Sequence, residues 1–279
     1  MQLSAKNFSL HTHCTYCDGK NTIEEMVNSA IEQGIKVLGL SSHSFTIKGD
    51  AGTMKLEDFD SYCSEVSRCK ETYSDKIEIL LGLEWDVLSK NTDQLKNLDY
   101  FIGSVHNIYD FDRGLRFSID ESVEELQRGI NTCFNGDAYK FLEAYFNDVR
   151  EVSKLNPDII GHFDLPKKLN ADGAIFNEND ARYIEMACDT LNILAKSNPL
   201  LELNTSCFYK DYRRDIYPSD FILKHWASIG GSVCITADSH TALTLLASYD
   251  KALQLCASCG IEELYGIDSK RNRIRLCCD

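Results

Sequence analysis

From Phe8 onward, short apolar runs that end in polar residues alternate with longer stretches in which apolar positions recur at helical spacing. The short runs are Phe8–His13, Lys36–His43, Ile77–Glu84, Tyr100–His106, Asp158–Asp164, Leu200–Ser206 and Ser232–His240, and each reads as a strand. Between them, helical periodicity covers Thr22–Gln33, Leu56–Ser74, Ser122–Lys154, Glu178–Ser197, Pro218–Ser228 and Thr241–Ser258, with a short strand at Glu263–Ile267. The Thr22-Ile23-Glu24-Glu25 segment has capping-box spacing, and Gly34 stops the helix it opens. Ser44–Lys55, Asp110–Gly114 and Lys167–Ala174 read as polar loops.

Strand–helix repetition with nearly continuous apolar strands implies a parallel sheet covered by helices, an α/β fold. Seven such units favour a closed or distorted (β/α)7 TIM-like barrel over an open doubly wound sheet. No linker or repeat divides residues 1–279, so a single domain is expected.

The polar residues that end the strands change this picture from architecture to chemistry. His11, His13, His43, His106, His162 and His240, six of the seven histidines, lie at or just past strand C-termini, together with Glu84 and Asp238. In a barrel all these ends meet on one face, where active sites sit. His225, inside a helix, is expected to be structural. His11 and His13 are two apart and project to one side of their strand. Two such imidazoles make half a metal site. With Asp18 in the following loop there are nine candidate ligands, more than one tetrahedral site uses. A carboxylate such as Glu84 can bridge ions, giving a cluster of two or three. Such clusters activate water and clamp phosphoryl oxygens. The substrate class implied is a phosphate ester. An amidohydrolase, attacking carbon on a similar barrel, is the competing enzyme, and a storage site or a barrel that binds phosphorylated metabolites without turnover the non-catalytic alternatives.

Charge and cysteine content narrow the partners. The net charge of −14 argues against general nucleic-acid binding, which needs a basic face. The absence of a long apolar run or leader pattern points to a cytoplasmic chain with no membrane partner. The twelve cysteines have irregular spacings and are expected to be reduced; Cys14 and Cys17 read as packing residues despite their place beside the ligands.

Taken in order, His11-Thr12-His13, Asp18-Gly19, Ser42-His43, Gly82-Leu83-Glu84, Gly103-Ser104-Val105-His106, Gly161-His162-Phe163-Asp164, Leu203-Asn204-Thr205-Ser206 and Asp238-Ser239-His240 resemble the polymerase-and-histidinol-phosphatase (PHP) superfamily, particularly its histidinol-phosphatase branch. The resemblance implies a distorted (β/α)7 barrel and three divalent ions (Zn, Fe or Mn). His11, His13, Glu84 and Asp238 would hold the first, Glu84, His106 and His162 the second, and Asp18, His43 and His240 the third. Glu84, Asp238 and His240 take the catalytic roles. The implied reaction is hydrolysis of L-histidinol phosphate, a step of histidine biosynthesis, by metal-activated hydroxide. Another small phosphorylated metabolite is the alternative substrate. The resemblance leaves the oligomeric state open.

Tyr209 stands where the family usually carries an arginine, so the phosphate contacts are sought elsewhere. Candidates are Lys167, Lys168, Lys210, Arg213 and Arg214, with Asn204 and Ser206 as hydrogen-bonding groups. Asp164 either orients an imidazole or caps the next loop, and Trp85 reads as pocket wall or core.

Overall fold

The computed structural model describes residues 3–46, 52–208 and 216–277. Seven strands run parallel in one curled sheet: β1 (Phe8–Ser9), β2 (Val37–Leu40), β3 (Glu78–Asp86), β4 (Tyr100–Ser104), β7 (Ile159–Ile160), β8 (Leu200–Asn204) and β9 (Ser232–Thr236). Between β4 and β7 comes an antiparallel hairpin, β5 (Asn107–Asp110) with β6 (Leu115–Ser118). After β9, β10 (Leu264–Ile267) adds in parallel and β11 (Arg273–Leu276) turns back on it.

Curvature brings the first and last strands together, and the seam is closed at both ends. At the C-terminal end Thr12 forms a parallel bridge with Ser239. At the other end Ser4 bridges Cys277 beyond β11. The barrel reading therefore holds, with β10 and β11 inserted as a patch. The polar loop expected at Asp110–Gly114 is the turn of the β5–β6 hairpin, and the two flanking strands are the unexpected part. They are only four residues long, too short to reveal a period.

Helices α1 (Ile23–Glu32), α2 (Phe59–Thr72), α3 (Val123–Phe134), α4 (Ala138–Ser153), α5 (Ala181–Leu194), α6 (Asp220–Ser228) and α7 (Tyr249–Ser258) supply the outer layer. The Thr22 capping box forms as read: Thr22 Oγ1 accepts from the Glu25 amide, and Glu25 accepts from the Thr22 amide at 2.8 Å. The barrel is filled by a crossing side chain. Tyr100 lies against Gly39 and Gly82 and donates to the Leu10 carbonyl at 2.6 Å. The absent Cβ atoms of those glycines leave the room its ring occupies.

β1 and β7 are two-residue strands, shorter than their apolar runs. Past β1, Thr12 bridges Ser239 at the seam while its carbonyl still accepts from the Ser41 amide at 2.9 Å. After β7, Leu165 donates to the His162 carbonyl at 2.9 Å and the chain tightens into a 3-10 turn. No helix among the described residues is long and apolar enough to cross a membrane.

Candidate metal centre

The side chains that end the parallel strands converge on the Glu84 carboxylate, which is 1% exposed. Its Oε1 lies 2.8 Å from His162 Nε2 and 3.2 Å from His106 Nε2. Its Oε2 lies 2.9 Å from His43 Nδ1, 3.2 Å from His11 Nε2 and 3.5 Å from His13 Nε2. One carboxylate on β3 thus faces imidazoles that follow four other strands. The seam adds the rest. Asp238 Oδ1 is 3.2 Å from His13 Nε2, and Asp18 Oδ2 is 3.2 Å from His240 Nε2. Asp238 reaches its place through a left-handed backbone conformation, φ +49°, uncommon outside glycine but least costly for Asp and Asn.

Three donor groups are dense enough to hold an ion: His13, Asp18, His43 and His240; His11, His13 and Glu84; and His43, Glu84 and His106, the ligand atoms of each group lying within 4.8 Å of one another. His13, His43 and Glu84 each belong to two groups, so the grouping is more interlocked than the sequence resemblance implied. His162 joins through Glu84 and through a 3.2 Å approach to His106 Nε2.

Buried polar atoms are nearly always satisfied. Here His11 Nε2, His13 Nε2, Asp18 Oδ1 and Glu84 Oε2 are buried and have no hydrogen-bond partner. All four point into the cluster, and the donor set of imidazole nitrogens and carboxylate oxygens suits Zn, Fe or Mn. The residues fit a metal cluster.

Electrostatics agree with that fit. Burial opposes ionisation of Glu84, but His106, His11 and His43 outweigh it and hold the carboxyl well below its usual range. For His11, burial is outweighed by Glu202, Glu84 and Asp238, which push the imidazole up. For His106, Glu84 and Asp86 do the same. His13 goes the other way, held neutral by burial and by His240 and His43. Wherever the carboxylates dominate, the cluster attracts a positive charge.

Two carboxylates missed in the sequence stand behind the ligands. Asp86 Oδ2 accepts from the His106 amide at 2.9 Å and lies 3.2 Å from its Nδ1. Glu202 Oε1 lies 2.5 Å from His11 Nδ1. Period-two spacing was the available signal. Asp86 is two residues past Glu84, and Glu202 two before Asn204, so each shares a strand face with a residue already singled out.

Two cavities, of about 340 and 460 Å³, open on the cluster, and Asp18, His43, His106 and Asp120 line both. Lys168, Ser206 and the unforeseen Lys20 line the smaller; Arg116 and Glu125, also unforeseen, line the larger. Lys168 Nζ pairs with Asp120 at 2.7 Å. Asn204 donates to Glu202 at 3.0 Å and lies 3.4 Å from Asp238, and its Oδ1 accepts from the Ser206 amide.

Other candidates lie elsewhere. Lys167 is 2% exposed and turns from the cluster to donate to the Ile216 carbonyl at 2.7 Å and to Ser219 Oγ at 2.9 Å. The 3-10 turn after β7 carries it round to that side, away from the cluster, which corrects its reading as a phosphate contact. Asp164 goes with it, accepting from the Ser219 amide and hydroxyl and orienting no imidazole. Lys210, Arg213, Arg214 and Tyr209 lie outside the described residues. Trp85 is core, against Phe45. The half-buried His225 contacts Asn192 Oδ1 at 3.0 Å, away from the cluster. Every described cysteine is a free thiol. Cys17 Sγ is 3.5 Å from His13 Nδ1, with burial pushing the thiol up to about 12, so it stays protonated.

Residues 9–206 match the PHP domain family. A protein of Schizosaccharomyces pombe named a probable histidinol-phosphatase is 27% identical over 93% of this chain and 89% of its own length. The HisK chain of Listeria monocytogenes superposes with a TM-score of 0.74 at 22% identity, covering 88% of this chain and 99% of that one. The histidinol phosphate phosphatase of Lactococcus lactis, solved with Zn, L-histidinol and phosphate, gives a TM-score of 0.68 at 22% identity, over 95% of this chain and 98% of that one.

Proposed function

The chain belongs to the PHP domain family, and on that premise we propose that it is a metal-dependent phosphomonoesterase, a histidinol-phosphatase acting on L-histidinol phosphate within histidine biosynthesis. The observation that carries this reading is the set of four orphaned, buried polar atoms facing one another across the cluster. Full-length similarity to the Schizosaccharomyces pombe relative supports the substrate. The solved Lactococcus lactis phosphatase, which binds zinc, L-histidinol and phosphate, supports the cofactor and product classes.

In this reading all 279 residues form one cytoplasmic metallophosphatase unit. Three divalent ions are assigned. His11, His13, Glu84 and Asp238 would hold one, Glu84, His106 and His162 the second, and Asp18, His43 and His240 the third. Bound there, such ions supply Lewis acidity toward phosphate oxygens and lower the pKa of water. The chain's own contribution is positional. Glu84 keeps five imidazoles from four strands within reach of one another. Asp238 is the acceptor for the attacking water's proton. Lys168 and Ser206, on the wall of the smaller cavity, orient the phosphate, and Asn204 holds Ser206 and Asp238 in place. Lys168 answers the phosphate charge that Lys167 does not.

The test is phosphate release by protein loaded with Zn, Fe or Mn, from L-histidinol phosphate and from other small monoesters. Preferential release from L-histidinol phosphate is expected, with near three ions per chain. Equal turnover of unrelated monoesters would assign another substrate. Metal binding without phosphate release from any of them would overturn the phosphatase reading.

A further inference from the structure

Glu202 has no exposed surface, yet none of the metal assignments uses it. Four groups converge on its two oxygens. His11 Nδ1 at 2.5 Å and Thr236 Oγ1 at 2.6 Å meet Oε1; the His162 amide at 2.6 Å and Asn204 Nδ2 at 3.0 Å meet Oε2. An ionised carboxylate only accepts hydrogen bonds. The His162 N–H and the Asn204 amide are donors by nature, and the Thr236 hydroxyl donates to satisfy Oε1. The remaining partner, His11 Nδ1, must then carry its hydrogen.

That fixes the other nitrogen. With Nδ1 protonated and bound to Glu202, Nε2 is the nitrogen left to ligate, and it is the His11 atom without a hydrogen-bond partner. It lies 3.2 Å from Glu84 Oε2 and 3.7 Å from Asp238 Oδ1. Two carboxylate oxygens facing that nitrogen draw positive charge to it, and a metal ion bound there displaces whatever proton it holds. We propose that Glu202 is a positioning residue that locks His11 in the tautomer whose Nε2 ligates metal, while its second oxygen holds the backbone of His162.

One carboxylate on β8 thereby ties a ligand that follows β1 to one that follows β7. Thr236 on β9 anchors the same oxygen. The inference rests on the reading of the histidine cluster as a metal centre. It predicts a specific failure for Glu202→Gln. The amide's oxygen would remain with the His162 N–H, turning its NH2 toward His11 Nδ1. That nitrogen would then have to accept, and the hydrogen would move to Nε2, where it blocks ligation. The isosteric variant keeps the volume and removes a buried charge, so the metal-free fold should tolerate it.

The experiment is zinc titration of wild type and Glu202→Gln, with melting of both chelated proteins as the folding control. Zinc affinity should fall about 10–100-fold in the variant, the range for lost partners of metal-bound histidines. The chelated proteins should melt within a few degrees of each other. Equal zinc affinity in the two proteins would overturn the role of Glu202 while leaving the metal centre intact. Failure of wild type to bind zinc would overturn both. If Glu202→Gln does not fold, 15N NMR of zinc-loaded wild type decides. The proposal requires His11 to show a protonated Nδ1 and a zinc-bound Nε2, and the opposite assignment overturns it.

Discussion

Thr12 and Ser239 pair across the seam of the barrel, and each stands between two ligands. The Ser239 amide donates to the His11 carbonyl at 3.0 Å, and the His13 amide donates to the Ser239 carbonyl at 2.8 Å. Two backbone hydrogen bonds thus set His11 and His13 beside Asp238 and His240, more than two hundred residues later in the chain. The strand closure and the cluster of imidazoles and carboxylates are one structure.

Breaking that seam should therefore cost ligands before it costs the fold. Ser239→Pro removes the amide that bonds His11 and disfavours the left-handed conformation of the preceding Asp238. Loss of phosphatase activity and of bound metal is expected. Ser239→Ala loses only the side-chain bond to the Thr244 carbonyl, about 1 kcal/mol, and should retain activity. Metal analysis and thermal melts of both variants check this. An active Ser239→Pro protein would show that the seam does not position the ligands.

Glu84→Gln should reduce metal content by more than one ion. Its oxygens face five imidazoles, and an amide offers one acceptor where the carboxylate offers two. Activity should fall at least a hundredfold. Wild-type metal content and turnover in this variant would remove Glu84 from the bridging role.

The order of strands and helices could be read from the chain because apolar period and polar strand ends are local signals. His11, Glu84, His106 and Asp238 could be read because chemistry-bearing residues at strand ends are rare enough to stand out. Glu202 sits inside a strand and Asp86 two residues past the expected strand end, where neither carboxylate has a distinctive pattern, and only the paired face reveals them. The direction of Lys167 was not legible, since a 3-10 turn rotates it past the site while leaving its neighbour Lys168 on the cavity wall. Nor was the seam, because a single bridge between Thr12 and Ser239 leaves no periodic trace.

Lys168→Ala should raise KM for the phosphate ester more than it lowers kcat, since Lys168 lines the cavity without entering a ligand group. It should also change acid stability. Burial opposes ionisation of Asp120, but Lys168, with His106 beside it, outweighs this and holds the carboxyl at about 2. A depressed acid stabilises the fold above its unfolded value near 4, and that contribution is lost as pH falls toward about 2. Without Lys168 the loss should begin at higher pH. Unchanged KM and unchanged acid unfolding would dismiss both roles.

Asp148 on α4 titrates in the opposite sense. Burial, with Asp86 and Glu151 nearby, pushes its carboxyl up to about 7. A raised acid favours the fold while protonated, so stability is greatest below its unfolded value near 4 and declines as pH rises through about 7. Asp148→Asn should remove the penalty, stabilising the protein by about 1–2 kcal/mol at pH 8 and hardly at all at pH 4. Melts across that range give the answer. A uniform effect at both ends would mean that Asp148 is not buried as a neutral acid.

The glycines beneath Tyr100 give a prediction about packing rather than charge. A Cβ on Gly82 would come within 2.4 Å of the Tyr100 ring, and one on Gly39 within 2.2 Å of its hydroxyl oxygen. The ring is fully buried, and its hydroxyl is bound to the Leu10 carbonyl, so it cannot move aside without breaking that bond. Gly82→Ala should destabilise the protein by about 1–3 kcal/mol through overpacking. Tyr100→Phe alone should cost about 1 kcal/mol, for the lost hydrogen bond, and leave the Leu10 carbonyl unbound from the tyrosine. Because Leu10 precedes His11, either change should also loosen metal binding. If Tyr100→Leu relieves Gly82→Ala, the two residues compete for one space, and denaturant melts of the four proteins in that cycle measure the coupling. Strict additivity of the two substitutions would mean that the tyrosine does not depend on that gap.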